Sequence, residues 1–329
     1  MAACQSWSHW HDRLHRQLLR RPELLPDGAS LLLAISGGQD SMALMGLLIG
    51  LQHLHHWQLH TWHGDHGWHD QSATVASELH AWCDEQALDL QISRSSKAHT
   101  RSEAKARLWR YQELAHVSER LHCQLVVTAH TASDRAETFL LQLARGTNLA
   151  GLGSLRPSRP LRSNDATSPR LVRPMLHFSR HQTALICQDL QLPIWLDPAN
   201  SSVVFSRNRI RHEVLPVLEA LHPGCSQRIA QLSERISHVD DNQRILASLA
   251  LEPMKRSDRG LHRPSLTALT EPSRRLLLHH WLQQEGVRTL SANQLNILTA
   301  AIGPGRPPGR CSLPEKKTLQ WSHDSVQLV

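Results

Sequence analysis

The chain has 329 residues, 36 Lys and Arg against 29 Asp and Glu, a formal net charge of +7 and a sequence pI of about 9.5. It exceeds the roughly 250 residues at which a single core stops growing, so two or three domains are expected. The basic balance fits a polyanionic partner and equally fits a surface that is merely kept soluble.

No stretch reaches the roughly 18 apolar residues that would cross a bilayer, and the N-terminus lacks an apolar h-region, so a cytoplasmic protein with no membrane partner is expected. Cys4, Cys83, Cys123, Cys187, Cys225 and Cys311 form no CxxC pair, which argues against a zinc ribbon, an iron–sulfur cluster or a thioredoxin-like site. The 24 histidines show neither HExxH nor a Cys/His ligand spacing.

In chain order, apolar runs at 31–35, 58–63, 88–93 and 124–129 read as strands, and 41–54, 71–86 and 102–121 between them read as helices. This alternation predicts an α/β fold, a parallel sheet with helices on both faces. Within 102–121, Ala104, Leu108, Tyr111 and Ala115 recur at helical spacing and are expected to form the buried face. A helix from Ser133 should stop near Gly146. Residues 146–174, rich in Gly, Pro, Ser and Arg, are expected to be an irregular connection. Residues 175–245 read as mostly helical, with Ser179 as an N-cap. A last unit from about 250 carries helices at 272–285 and 291–302, a GPGRPPG break, and a hairpin of 318–321 with 325–328. The expected division is 1–160 with a core continuing to about 215, a helical linker over 216–249, and a small α+β domain over 250–329.

The chemistry concentrates where the first strand runs into Ser36-Gly37-Gly38-Gln39-Asp40-Ser41 and then an apolar helix. Two glycines allow positive φ and close backbone approach, and the N–H groups at a helix start face an anion. Asp40 is informative, since a carboxylate beside a phosphate site is repulsive unless Mg²⁺ lies between them. The plainer reading is an ordinary glycine-rich turn. Neither GxxxxGK[ST] nor GxGxxG is present.

Further along, His63-Gly64-Asp65-His66-Gly67 follows the second strand, at the carboxyl end where open α/β sheets bind ligands. In the next helix Arg107 and Arg110 share a face, so both can reach one anion. His130, Asp134 and Glu137 follow the fourth strand. Two carboxylates one turn apart suit an ammonium group and equally suit the dipole of a helix start. Trp195-Leu196-Asp197-Pro198-Ala199-Asn200 precedes Phe205-Ser206-Arg207-Asn208-Arg209-Ile210-Arg211, a basic segment in which only Arg207 and Arg211 share a face.

Together these segments resemble the tRNA(Ile)-lysidine synthetase family. SGGxDS is similar to the PP-loop of N-type ATP pyrophosphatases, an adenine nucleotide alpha hydrolase-like fold. HGDHG is similar to the family's HVDHGL with Gly64 replacing an apolar residue, and 102–111 to its SEAxARxxRY. Residues 129–138 are similar to AHxxDDQxET, with Ser133 and Arg135 replacing Asp and Gln. The resemblance implies an ATP-dependent ligase that adenylates the wobble cytidine of tRNA(Ile) with a CAU anticodon, then attaches L-lysine to give lysidine. It further implies that Ser36, Gly37, Gly38, Gln39, Asp40, Ser41, His63 and Asp65 bind ATP, that Asp40 holds Mg²⁺, that Asp134 and Glu137 bind lysine, and that Asp40, Arg110, Asp134 and Arg207 act in catalysis. A homodimer is compatible with it. The alternatives are a 2-thiocytidine-type tRNA thiolase, which usually carries CxxC pairs, and a non-catalytic RNA-binding protein.

Overall fold

The computed structural model describes residues 7–67, 72–95, 103–162, 167–195, 206–287 and 289–329. They fall into two compact units, Met1–Ser237 and His238–Val329.

The first unit opens with helix α1 (His9–Arg20), whose apolar side buries Trp10, Leu14 and Leu18. Then β1 (Ser30–Ala34), α2 (Gln39–His55), β2 (Gln58–Asp65), α3 (Ser72–Glu85), β3 (Leu90–Arg94), α4 (Glu103–Arg120), β4 (Leu125–Thr128) and α5 (Ala132–Ala144) alternate as expected. The chain continues through α6 (Leu149–Leu152), β5 (Ser158–Pro160), β6 (Arg170–Val172), α7 (Arg180–Asp189), α8 (Ser206–Arg209), a π turn over Ile210–Val214, α9 (Leu215–Leu221) and α10 (Cys225–Leu251). The sheet order is β3-β2-β1-β4-β6-β5, parallel except for β5.

Period-two side-chain alternation places helices on both faces. Leu31 and Leu33 of β1 join Leu125 and Val127 of β4 in one core with α1, α2, α3 and α7. Their neighbours Leu32 and Val126 join a second core with Trp109, Leu114 and Val117 of α4.

Two expectations require correction. Residues 146–174 are not merely irregular, because β6 pairs in parallel with β4, Leu125 with Arg170 through Val127 with Val172. Three residues with one apolar pair are too short to signal a strand by periodicity. The buried face of α4 also differs: Leu108 is 60% exposed, whereas Trp109 is 7% exposed. Trp109 has the larger apolar surface and packs against Trp62 of β2 with ring centroids 6.3 Å apart, which rotates the helix by about one residue.

The second unit is α+β. Its antiparallel sheet runs β7 (Leu261–His262), β10 (Ser325–Leu328), β9 (Thr318–Trp321), β8 (Gly309–Ser312), with helices α11 (Arg263–Thr267), α12 (Glu271–Gln284) and α13 (Ala292–Ala301). Leu278, Trp281, Leu298, Leu319 and Val326 meet in its core.

Candidate active site

The sheet order sets the site. The carboxyl ends of β2, β1, β4 and β6 lie side by side, and each is followed by a polar segment.

After β1, Gly37 has φ +76° and lies under Trp195, where a Cβ would stand 3.1 Å from the indole. Both facts require glycine. The turn is tied internally. Ser36 N–H donates to Ser41 Oγ at 3.2 Å, Gly38 N–H to Ser36 Oγ at 3.3 Å, and the Ser41 hydroxyl to the Gly38 carbonyl at 2.8 Å. These bonds hold the start of α2 open at the sheet edge, where its N-terminal dipole favours an anion.

Asp40 lies in the first turn of α2 and faces α7. Thr183 Oγ1 donates to its Oδ1 at 2.5 Å and Arg180 Nη1 to its Oδ2 at 3.0 Å. Burial and the nearby Asp134 carboxylate nevertheless hold its carboxyl above the ordinary range, outweighing Arg180 and Thr183. Gln39 also turns to α7, its amide donating to the Arg180 carbonyl at 2.6 Å and to Thr183 Oγ1 at 2.8 Å.

On β2, His63 is buried and its Nδ1 lies 3.0 Å from the Ile35 carbonyl. A carbonyl only accepts, so Nδ1 carries the proton and Nε2 is the acceptor. Burial keeps this imidazole below its usual range and neutral. Asp65 accepts the Gly67 N–H at 2.9 Å, and Arg110 Nη2 reaches His66 Nε2 at 3.0 Å. Gly64 is explained by Trp62, two residues earlier on the same face: a Cβ on Gly64 would stand 2.5 Å from the indole Cη2. The tryptophan thus fills the space that a side chain at position 64 would need. Gly64→Val should therefore lower stability by about 1–3 kcal/mol through overpacking, and a Trp62→Leu background should relieve that cost. Thermal unfolding of the two single variants and the double variant checks this, and simple additivity would refute the substitution of one volume by the other.

At β4, Thr131 caps α5 and donates N–H and Oγ1 to Asp134 Oδ2 at 2.7 and 2.9 Å. Arg207 then bridges the helix, Nη2 to Asp134 Oδ1 at 2.7 Å and Nε to Glu137 Oε2 at 2.7 Å. Arg211 bonds both Glu137 oxygens, at 2.6 and 3.0 Å. Glu137 is 1% exposed, and the π turn that carries Arg211 presents its guanidinium on the same side as Arg207. Arg209 points away to the exposed Glu213. Burial and Arg173 push His130 down to about 3, so it is a neutral base beside Asp134.

The replaced positions have partners too. Ser133 Oγ accepts the Arg180 N–H at 3.1 Å. Arg135 is buried and pairs with Glu234 of α10 at 3.3 Å, a carboxylate that Arg21 also holds at 3.0 Å. Arg180 and Thr183 complete the constellation and were not singled out from the sequence, whereas Arg211 was expected only as the face-mate of Arg207. Only the N-cap Ser179 hinted that α7 begins here, and its side chain does accept from Gln182 N–H. Ser102, the segment 196–200 and Phe205 lie outside the described residues.

A glycine turn at a helix start thus lies on the same carboxyl edge of the parallel sheet as an ion-paired carboxylate pair. Comparison with known proteins gives it a family. Residues 11–218 match the PP-loop domain, and residues 261–326 match the TilS substrate binding domain. The tRNA(Ile)-lysidine synthase of Parasynechococcus marenigrum (strain WH8102) is 55% identical over 98% of this chain and 95% of its own length. That of Prochlorococcus marinus (strain SARG) is 44% identical over 98% and 97%. The chain belongs to the tRNA(Ile)-lysidine synthase family. As a member it is a ligase with an ATP-binding PP-loop domain. A U34-tRNA thiolase from Methanococcus maripaludis shares the fold at 18% identity, with a TM-score of 0.58 over 69% of this chain and 78% of its own.

Proposed function

We propose that this chain joins L-lysine to C2 of the wobble cytidine in the CAU anticodon of tRNA(Ile), through an adenylated tRNA intermediate with release of diphosphate and AMP. One observation carries the reading. Arg180 ties the two halves together, its guanidinium on Asp40 at 3.0 Å and its backbone N–H on Ser133, next to Asp134, at 3.1 Å, which supports a nucleotide at one meeting an amine at the other.

Ser36 to Ser41 hold the triphosphate, and His63 and Asp65 line the β2 side of the nucleotide. Mg²⁺ fits Asp40. Among the described residues no three His, Cys, Asp or Glu side chains converge as a closed cage, as suits an ion held by one or two carboxylates and by substrate phosphates. A divalent ion would relieve the Asp40–Asp134 repulsion and screen the triphosphate. Arg110 and Arg207 supply cationic donors to the α-phosphate as charge develops there.

Charge balance suggests an order. Asp134 and Glu137 are neutralised by Arg207 and Arg211, so a lysine ammonium finds its carboxylates taken until a nucleotide phosphate draws Arg207 away. Asp134 and Glu137 then orient lysine, and His130, held neutral by burial and Arg173, adds no charge beside them. Sulfur chemistry has less support: burial raises the Cys83 thiol to about 11 and the Cys187 thiol to about 12, so both are protonated and poor nucleophiles. Among the described residues no helix is long and apolar enough to cross a membrane; the cytoplasmic place of action we propose follows from the tRNA substrate. A homodimer stays compatible with this reading.

The deciding assay follows diphosphate and AMP separately with CAU-anticodon tRNA(Ile) and ATP. Diphosphate release without lysine, and AMP release only with lysine, are expected. AMP release driven by a sulfur donor instead would overturn the assignment.

The second unit is proposed to bind the tRNA body through phosphates. Its basic residues divide in two. Arg263 is 4% exposed and donates to the carbonyls of Ser322 and Arg306, and Arg274 is 5% exposed and donates to those of Thr299 and Leu269. Arg259, Arg306 and Arg310 are exposed. Changing these three to Gln should lower the log–log salt slope of tRNA binding by somewhat under one unit per lost contact. Arg263→Gln should instead lower thermal stability. An unchanged slope in the triple variant refutes the phosphate role.

A further inference from the structure

Past β4 on the same sheet edge is a group of cations with no acidic partner among the described residues. Arg173 directly follows β6 and is 2% exposed. Its Nη1 donates to the Arg156 carbonyl at 2.7 Å, and its Nε has no partner among the described residues. Tyr111 of α4 lies against it. The guanidinium carbons of Arg159 and Arg107 stand 4.9 and 5.4 Å from the Tyr111 ring centroid. Arg159 and Arg173 both act on the Tyr111 phenol electrostatically.

The groups acting most strongly on Arg173 and Tyr111 are each other, Arg159 and Arg107, none a carboxylate. Burial raises the Tyr111 phenol, but the three guanidiniums outweigh burial and hold it below its usual range. Burial lowers Arg173 to about 10, still charged at neutral pH. Elsewhere in this unit the buried or half-buried arginines of the site, Arg135, Arg180, Arg207 and Arg211, each have an acid. Gathering three guanidiniums, one fully buried with an idle donor, is costly unless an anion completes the group.

We propose that Arg107, Arg159, Arg173 and Tyr111 form a phosphate site that takes an RNA phosphodiester next to the reacting nucleotide. The proposal rests on the tRNA reading above and adds which part of the RNA is held and where. β6 is two strands from β1, so Arg173 and the PP-loop are separated by about 10 Å at the usual strand spacing. That gap spans a nucleoside, its base at the PP-loop and its backbone at the arginines. His130 sits between, sensing both Arg173 and Arg207. Arg107 is exposed and gives the group its opening to solvent.

The test uses full-length protein, CAU-anticodon tRNA(Ile) transcript and ATP. Arg107→Gln and Arg159→Gln should each weaken tRNA binding about tenfold at low salt. Each should lower the log–log salt slope by somewhat under one unit and leave ATP affinity unchanged. Arg107 is exposed, so its variant tests the site without disturbing the core. An unchanged slope overturns the proposal, and a loss of ATP affinity with an unchanged slope reassigns the anion to the nucleotide and also overturns it. Tyr111 is the single tyrosine of the chain, so phenolate absorbance reports the site directly. Bound tRNA should shift its titration to higher pH as a phosphate neutralises the guanidiniums, and an unmoved titration counts against the site. Failure of wild type to release diphosphate would strike the catalytic reading, whereas altered salt slopes in such a protein would still support this site.

Discussion

Replacing Asp40 with Ala is expected to reduce tRNA-dependent diphosphate release by at least about a thousandfold, close to 4 kcal/mol in barrier. The carboxylate has two tasks that one substitution removes together. It accepts bonds from Arg180 and Thr183, which dock α7 against the PP-loop, and it is the charge placed to hold a divalent ion. Asp40→Asn separates them, since an amide oxygen still accepts from Thr183 but carries no charge. If docking were its whole task, Asn would be nearly as active as wild type. The metal role predicts that Asn is almost as inactive as Ala. Stability should move the other way: burial and Asp134 disfavour the charged form in the folded protein, so neutral Asn relieves a repulsion and should raise the melting temperature at neutral pH. A variant within tenfold of wild type, about 1.4 kcal/mol, would remove Asp40 from the metal site.

The difference between what could and could not be read from the residues has a physical origin. β1 and β4 announce themselves because a strand buried on both faces is a run of apolar residues, as in Leu31–Leu32–Leu33 and Leu125–Val126–Val127. The PP-loop is legible because glycines, hydroxyls and a helix start fall within six residues. Arg207 and Arg211 share a helical face, and they are the two that reach Glu137 while Arg209 reaches solvent. What local pattern does not hold is proximity created by topology. Asp40 and Arg180 are 140 positions apart, and only the packing of α7 on α2 joins them. β6 is likewise invisible alone, for its hydrogen bonds come from β4. The same limit hid Arg173, which reads as one more basic residue in a Pro-rich stretch until the sheet buries it beside Tyr111.

Glu137→Gln is expected to destabilise the protein by on the order of 3 kcal/mol and to abolish AMP release with lysine. The carboxylate is 1% exposed and accepts three bonds from two guanidiniums, so its neutralisation leaves Arg207 and Arg211 facing each other with only Asp134 to share. A buried pair broken on one side costs more than its removal on both sides, because the surviving charge has lost its partner. Glu137→Leu combined with Arg211→Met should therefore recover much of the stability lost by Glu137→Leu alone, with Arg207 still held by Asp134 at 2.7 Å. The coupling between the two sites should reach roughly 0.5–3 kcal/mol in a double-variant cycle of thermal unfolding. Activity distinguishes scaffold from chemistry. If Glu137 only braces the arginines, the stable double variant regains lysine-dependent AMP release. If, as we propose, the carboxylate is exchanged from arginine to the incoming ammonium, that variant stays folded, forms adenylated tRNA and fails to transfer lysine, with lysine affinity lost even in the presence of ATP. Recovery of transfer together with stability would remove Glu137 from the lysine site.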